Sequence, residues 1–375
     1  MASNPAVALD PRRDRRFRSV ALVTLALVYV VIIAGSVVRS TGAGMGCPDW
    51  PKCFGHYVPP THVSELQYEP GRAFGKGHFI IHDNALWKAK RDLVATGAID
   101  MADWEKYTKH DYAVFNAAHT WTEYGNRLSG VLLGISSIVL VVMAWRRRSW
   151  DRASVIATVA ALLLISFEGW LGALVVESNL APVKITIHMA LALVIVALVV
   201  WIVDRARGRS DALPPLTRGT IAILLLCIAL TAVQTVLGTQ VREQIDTVAR
   251  AMGEATRGTW IAELGGQYLF HRSFAWVLLA ANVLLVMRMI REARGFVRAQ
   301  RRAGLLALLV FAAAVSGIIL QELDMPAPAQ PLHLLLAALT LGLQFSLLFE
   351  HIRRPHSPAA QIPAQSDRVP LERMA

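Results

Sequence analysis

Long uncharged apolar runs alternate with short polar segments along most of this chain. Eight of these runs reach the length of about 20 apolar residues that a helix needs to cross a bilayer. Their approximate bounds are 18–38, 122–145, 153–176, 184–203, 218–241, 270–290, 303–323 and 330–350. The pattern predicts an all-α integral membrane protein with eight transmembrane helices and one long polar loop, residues 39–119, after the first helix.

The second half of the chain repeats features of the first half. In each half a glycine precedes a histidine by 16 residues, and the two copies lie 145 residues apart. A second motif, G-x-x-V-R, also occurs in each half. The matching elements are Gly172 and His188 with Gly317 and His333, Asn126-Arg127 with His271-Arg272, and Gly35 to Arg39 with Gly238 to Arg242. Such repeats indicate a duplicated four-helix unit, so we predict two pseudosymmetric four-helix bundles at 18–203 and 218–350.

Composition agrees with a membrane protein, since 54% of the residues are hydrophobic and the mean hydropathy is +0.43. The net charge of +11 does not indicate nucleic-acid binding, because the basic residues cluster at alternate ends of the apolar runs. The clusters lie at 12–18, 146–148, 205–209, 288–302 and 353–354. By the positive-inside rule both termini are predicted to be cytoplasmic. We expect a basic tail at 1–17 and a disordered tail at 355–375.

The long loop after the first helix is predicted to cover the outer face of the protein as a lid. Residues 83–97 are predicted to form one or two short surface helices. The loop contains Cys47 and Cys53, for which a disulfide, a metal site and free thiols are the alternatives. An oxidising outer compartment favours the disulfide, and a single cysteine pair is weak evidence for zinc. Cys227, within the fifth apolar run, is predicted to be a buried and inert thiol.

Two histidines occupy matching positions in the C-terminal half. His271 and His333 lie one to two turns inside the outer face, on the second and fourth helices of the predicted bundle. Two neutral imidazoles that face each other across a four-helix bundle can bind haem iron axially. Zinc fits less well because it requires more ligands, and an interhelical hydrogen bond is the alternative for each histidine. Arg272 and Arg242 are suited to pair with haem propionates, or else to extend to lipid headgroups.

The N-terminal half differs from the C-terminal half at one of the two histidine positions. His188 is retained, but Asn126 stands where the C-terminal half has a histidine. One haem site is therefore predicted to be fully ligated, and the other to be open on one side. His119 lies two turns before Asn126 on the same helix face, and it could supply the missing ligand if the helix extends that far.

Glu123 is the candidate catalytic residue. It lies one turn before Asn126 on the same helix face. A buried carboxylate at this position can transfer protons or stabilise a cation at a reacting carbon. An ion pair with Arg39 or Arg127 is the alternative role for this side chain.

Several segments together resemble the haem A synthase family. They are GSVVRSTGAGMGCPDWPKC at 35–53, EYGNRLSG at 123–130, His188, YLFHR at 268–272 and PLH at 331–333. The resemblance extends over residues 20–350. It implies an oxidoreductase that converts the C8 methyl of haem O to the formyl group of haem A by successive hydroxylations, for cytochrome oxidase biogenesis.

The resemblance also implies a role for each half. In the C-terminal half, a haem b cofactor would have His271 and His333 as iron ligands, with Arg272 and Arg242 beside it. In the N-terminal half, the substrate haem would have His188 as an iron ligand. The other residues expected around the substrate are Asn126, Arg127, Arg39, His119 and the catalytic Glu123. The outer cysteine pair of the family matches Cys47 and Cys53.

This sequence departs from the family pattern at two places. Well-known members have Glu-x-x-His-Arg where this chain reads Glu123-Tyr-Gly-Asn126-Arg127. Some members also have a second outer cysteine pair, which this chain lacks. We interpret the first departure as a variant substrate site rather than a loss of activity, because the other elements of the pattern persist.

The resemblance further implies a multi-pass protein of the cell inner (plasma) membrane that contacts lipid and no nucleic acid. Haem O synthase, other oxidase assembly factors and further copies of the chain are the expected partners. Three other functions compete with this interpretation. An electron-transfer cytochrome b would have both sites fully ligated, a non-enzymatic haem-handling assembly factor would not need Glu123, and a transporter would contain helices interrupted within the membrane.

Overall fold

The computed structural model of the protein describes residues 11–108, 115–178, 181–207 and 216–352. Within these residues, eight helices are long and apolar enough to cross a membrane. They are α1 Pro11–Ser40, α2 Ala117–Trp145, α3 Arg152–Glu177, α4 Pro182–Ala206, α5 Arg218–Met252, α6 Gly266–Glu292, α7 Val297–Glu322 and α8 Ala329–Ile352. The predicted α-helical membrane architecture is confirmed. Residues 1–10 and the predicted disordered tail at 355–375 lie outside the described residues.

The eight helices pack as two four-membered rings. In the first ring α1 and α3 each contact both α2 and α4, and in the second ring α5 and α7 each contact both α6 and α8. Each ring has its own apolar core. The rings meet where α1 contacts α8 and where α4 contacts α5 and α8. Consequently α2 and α4 occupy opposite corners of the first ring, and α6 and α8 occupy opposite corners of the second.

All eight helices are longer than the apolar runs predicted, and α1 and α5 exceed their runs most. α1 begins at Pro11, within the predicted basic tail, and Phe17 is buried with the Arg147 guanidinium 4.4 Å from its ring centroid. α5 continues past its predicted end at 241 to Met252. This extension is amphipathic rather than apolar, and its Ile245 packs with the buried Trp260. Packing of one face therefore sustains the helix where the hydropathy of the sequence falls.

The long loop contains β-structure, so the predicted surface helices within 83–97 are wrong. Its strands are β1 Ala73–Phe74, β2 Phe79–His82, β3 Ala85–Ala89, β4 Leu93–Val94 and β5 Trp104–Lys106. β1 pairs with β4, and β2, β3 and β5 form an antiparallel sheet. Asp83 and Asn84, with φ of 50° and 55°, join β2 to β3. A two-residue turn of this kind favours a hairpin over a helix.

Short 3₁₀ helices complete the two loops at this end of the bundle. They are Ala43–Met45, Val63–Leu66 and Met101–Asp103 in the long loop, and Glu254–Glu263 after α5. We refer to the end of the bundle that carries both loops as the loop end.

The first segment of the long loop is fixed against the start of α2. Cys47 and Cys53 are buried and form a disulfide, the alternative that the sequence favoured. Thr120 donates a hydrogen bond of 2.9 Å to the carbonyl of Gly46. A side chain at Gly46 would collide with the backbone of His119, so only glycine allows this close approach.

Candidate functional site

One large cavity at the loop end contains every haem-site residue that the sequence predicts. Its volume is about 2090 Å³, whereas a pocket for one drug-sized ligand measures roughly 300–1,000 Å³. Residues of both rings line it, and so do Trp50 and Pro51 of the long loop. The predicted residues in its wall are Arg39, His119, Glu123, Asn126, Arg127, His188, Arg242, His271, Arg272 and His333. The cavity therefore has room for more than one large ligand.

In the second ring, each candidate histidine lies against a glycine of the repeated motifs. A Cβ added to Gly317 would be 3.3 Å from Cε1 of His333, and one added to Gly238 would be 3.3 Å from Cε1 of His271. Both separations are shorter than the optimum of about 3.5–4.0 Å between carbon atoms. The repeated glycines thus provide the space in which the two imidazole rings lie.

The first ring has the same arrangement with looser contacts. A Cβ added to Gly172 would be 3.5 Å from Cε1 of His188, and one added to Gly35 would be 3.8 Å from Oδ1 of Asn126. The glycine and the histidine or asparagine of each repeat therefore form one structural unit. In the two motifs with a spacing of 16 residues, that spacing places the glycine of one helix against the histidine of the next.

The hydrogen bonds of His333 fix which ring nitrogen carries its proton. The hydroxyl of Ser316 donates to the carbonyl of Ala313 at 2.8 Å, which uses its one hydrogen. The same hydroxyl is 2.8 Å from Nδ1 of His333, and we assign Nδ1–H as the donor in that contact because the single hydroxyl hydrogen is used by Ala313. The lone pair on Nε2 of His333 is therefore left for a ligand. Ser316 was not singled out in the sequence, although it directly precedes the repeated glycine.

His271 has no strong hydrogen bond at either ring nitrogen. Its Nδ1 is buried and has no hydrogen-bond partner among the described residues. Its Nε2 is 3.5 Å from Nε2 of Gln234, whose amide also donates to the carbonyl of His271 at 3.0 Å. A buried imidazole nitrogen without a hydrogen-bond partner is costly unless a ligand completes the site. No motif in the sequence indicates Gln234, because its contact depends on how α5 packs against α6.

Two arginines of the G-x-x-V-R motifs meet at one carboxylate. Nη2 of Arg39 is 2.9 Å from Oδ2 of Asp246, and Nη2 of Arg242 is 2.6 Å from Oδ1. Arg242 also bonds to Gln330, and all four side chains line the cavity. One carboxylate between two guanidiniums leaves one excess positive charge, which favours an anionic ligand. Asp246 was missed in the sequence, although it lies one helical turn after Arg242.

Glu123 pairs with Arg127, which was the alternative role for this carboxylate. Glu123 is buried, and its other oxygen accepts the backbone N–H of Cys47 at 2.8 Å. Arg127 donates to the carbonyls of Asp49 at 2.6 Å and Lys52 at 2.9 Å. The pair therefore fixes the disulfide loop to α2. Both side chains also line the cavity, so their contacts with a substrate remain predictions.

His188 and His119 lie in the first-ring part of the cavity wall. His188 is 38% exposed, and its Nδ1 is 3.2 Å from Oε1 of Glu168 on α3. The N–H direction of the ring is not aligned with that oxygen, so the contact is within ion-pair distance but short of a complete hydrogen bond. α2 begins at Ala117, and the helix therefore extends far enough to place His119 at the cavity. Ligation by His119 remains a prediction.

The outer loop contains two histidines whose partial burial disfavours their charged forms. The rings of His56 and His78 are 4.0 Å apart between centroids. Burial lowers the pKa of both rings below the usual value of 6.5. Burial also raises the pKa of Asp49, against the effect of the Gly55 N–H, which donates to its carboxylate at 3.0 Å. These groups support the loop and lie outside the candidate haem ligands.

The helices and cavity define a multi-pass membrane protein with a histidine-lined site at one end of its bundle. The chain belongs to the COX15-CtaA family, described as cytochrome oxidase assembly proteins, whose profile matches residues 18–73 and 99–345. The unmatched segment, 74–98, contains the β2–β3 hairpin.

Comparison with individual proteins gives relatives of nearly the same extent. A protein named Heme A synthase from Methylobacterium sp. (strain 4-46) is 26% identical, over 90% of this chain and 94% of that protein. A protein with the same name from Alkalihalophilus pseudofirmus is 24% identical, over 81% of this chain and 86% of that protein. Another, from Halalkalibacterium halodurans, is 24% identical over 72% and 74%, respectively.

Proposed function

We propose that this protein is a haem A synthase, which oxidises the C8 methyl of haem O to a formyl group for cytochrome oxidase assembly. Written as a half-reaction, with water as the formal oxygen source, this is a four-electron oxidation in which R–CH₃ and H₂O give R–CHO, four protons and four electrons, and an electron acceptor must take up those electrons. The observation that carries the proposal is the cavity itself. This cavity connects the two-histidine site of the second ring with the one-histidine site of the first ring. The chain that contains it belongs to the COX15-CtaA family.

The two-histidine site is suited to a haem b cofactor. His271 and His333 lie on α6 and α8, at opposite corners of the second ring, and each has a ring nitrogen without a strong protein partner. With these features, both histidines would be able to hold a haem iron. A haem bound there would supply one-electron transfer. Arg242 and Arg272 line the same cavity and would pair with its propionates.

The one-histidine site is suited to the substrate. His188 would bind the iron of haem O, and Asn126 on the opposite corner of the first ring leaves the other axial position without an imidazole unless His119 reaches it. Arg39 would pair with a propionate. Glu123 would present negative charge beside the reacting methyl, while Arg127 keeps that carboxylate in position.

We further propose that the loop end faces outward and that both termini are cytoplasmic, in the inner (plasma) membrane. Basic residues at the opposite end of the bundle support this orientation. Arg205 pairs with Asp151 at 2.7 Å there, and Arg302 pairs with Glu350. Haem O synthase and assembly factors are proposed partners, because haem O and haem A are too apolar to exchange through water. A homo-oligomer stays a prediction.

Spectra of the protein purified from haem-containing membranes test the site assignments. The unmodified protein should contain a low-spin, six-coordinate b-type haem. His333→Ala should lose this spectrum because one axial ligand is removed, whereas the matched variant His188→Ala should keep it. A b-type spectrum that survives in His333→Ala would contradict the cofactor assignment.

A further inference from the structure

The two histidines of the repeated Gly-to-His motif have chemically different partners. Nδ1 of His188 is 3.2 Å from the carboxylate of Glu168, whereas Nδ1 of His333 is 2.8 Å from the hydroxyl of Ser316. The repeat offset of 145 residues places Ala313 where the first ring has Glu168. The carboxylate therefore belongs to the first ring only, and it distinguishes the two sites as clearly as Asn126 does.

Glu168 is held in a place where an unpaired carboxylate is costly. Its side chain is 14% exposed, and among the described residues its Oε2 atom has no hydrogen-bond partner. It projects from α3 within a membrane-spanning segment and lines the cavity. Ionisable residues at such depth are rare, and they usually face a partner or a cavity. The imidazole of His188 is the partner that the structure provides.

A carboxylate that hydrogen-bonds to a metal-binding histidine alters how strongly that histidine donates to the metal. When it accepts Nδ1–H, it fixes the orientation of the ring and increases the basicity of the nitrogen that binds the metal. A neutral hydroxyl that is already donating elsewhere, as Ser316 is, polarises the ring less. Iron bound by His188 would therefore have a stronger donor on one side and no imidazole from α2 on the other, unless His119 binds.

We propose that Glu168 is a positioning residue of the substrate site. On haem binding, its carboxylate becomes aligned with Nδ1–H of His188 across the 3.2 Å contact, strengthens the bond from His188 to iron, and lowers the reduction potential of the haem at this site. The haem between His271 and His333 has no such carboxylate behind His333. This inference rests on the proposed function, because it requires that the substrate haem binds at His188.

The test compares Glu168→Gln with the matched variant Ser316→Ala. Purified protein is loaded with haem O without oxygen, and each haem is titrated spectroelectrochemically. Glu168→Gln should shift the ratio of reduced to oxidised haem at His188 by about tenfold, equivalent to about 59 mV higher for a one-electron couple. The resonance Raman iron–histidine stretch of this haem should move to lower frequency. Ser316→Ala should leave both values unchanged.

Two further variants make the outcomes separable. Glu168→Asp keeps the carboxylate but shortens the side chain, and it should give intermediate values. An unaltered b-type spectrum shows that each Glu168 variant is folded. If haem is retained through His188 and Glu168→Gln shifts neither value, this inference is overturned while the proposed function stands. If His188→Ala binds haem O as well as the unmodified protein does, the substrate site is wrong and the inference fails with it.

Discussion

The glycine beside His333 should control how firmly the cofactor is held. In Gly317→Ala, the added methyl group would be 3.3 Å from Cε1 of the imidazole, a few tenths of an ångström inside the optimum of about 3.5–4.0 Å. The ring has little freedom to move away, because its Nδ1 is hydrogen-bonded at 2.8 Å to the hydroxyl of Ser316. Ser316 directly precedes Gly317 on α7. The substitution must therefore displace either the ring or α8.

Overpacking of a close contact costs about 1–3 kcal/mol. If that cost falls on the haem-bound state, retention of the cofactor decreases about 5- to 150-fold. The assay is the ratio of b-type haem to protein after purification and dilution, with the spectrum as a second readout. A displaced ring should also convert part of the low-spin signal to high-spin.

Two other glycines provide matched controls. Gly304 lies on the same helix, and an added Cβ would have no atom within 4 Å. Gly304→Ala should therefore retain haem fully and stabilise the helix by about 0.5–1 kcal/mol. Gly172→Ala, with a contact of 3.5 Å to His188, should be tolerated. If Gly317→Ala and Gly304→Ala retain equal haem with identical spectra, the close fit of glycine and histidine does not matter for binding.

Three further predictions concern the charges around the cavity and the loop. Asp246→Asn should strengthen haem retention, because without the carboxylate the two guanidiniums carry two excess positive charges for the anionic propionates instead of one, whereas Asp151→Asn at the opposite end should lower thermal stability alone. Unchanged retention in Asp246→Asn would contradict the first effect. Acidification should loosen the outer loop, because the folded protein lowers the pKa of His56 and of His78. The stabilisation of the loop by the neutral imidazoles is complete above about pH 6.5, and it is lost as the pH falls through the pKa values of the folded protein. Limited proteolysis at pH 7.5 and pH 5 measures this, and equal cleavage would refute it. Glu123→Gln should abolish haem A formation and, because the ion pair with Arg127 is lost, should also make the loop more sensitive to protease. Unchanged haem A would exclude a catalytic role for this carboxylate.

The sequence predicts those features of this protein that depend on local patterns. The eight helices follow from the length of the apolar runs, since no other structure satisfies the backbone of such a run in lipid. The repeated glycines and histidines, read together, identify residues that line one cavity. The helical extension of α5 was missed because packing of Ile245 against Trp260 sustains it, and hydropathy does not report such packing.

Other features depend on contacts between distant segments. Asp246 pairs with Arg39, 207 residues earlier in the chain, and nothing near either residue indicates the contact. Glu168 meets His188 because α3 packs against α4. The β2–β3 hairpin differs from the predicted surface helix because Asp83 and Asn84 adopt positive φ and form a turn, which a polar helical pattern over 83–97 does not indicate.

The most direct test of the proposed function measures haem conversion. Membranes of cells that make haem O, with and without this protein, are extracted, and haems B, O and A are separated by chromatography with mass detection. The proposed function predicts haem A, or its hydroxylated intermediate, only where the protein is present, with Asn126 in place. Bound haem B without any conversion of haem O would contradict it, and would indicate an electron-transfer cytochrome or a haem-handling assembly factor instead.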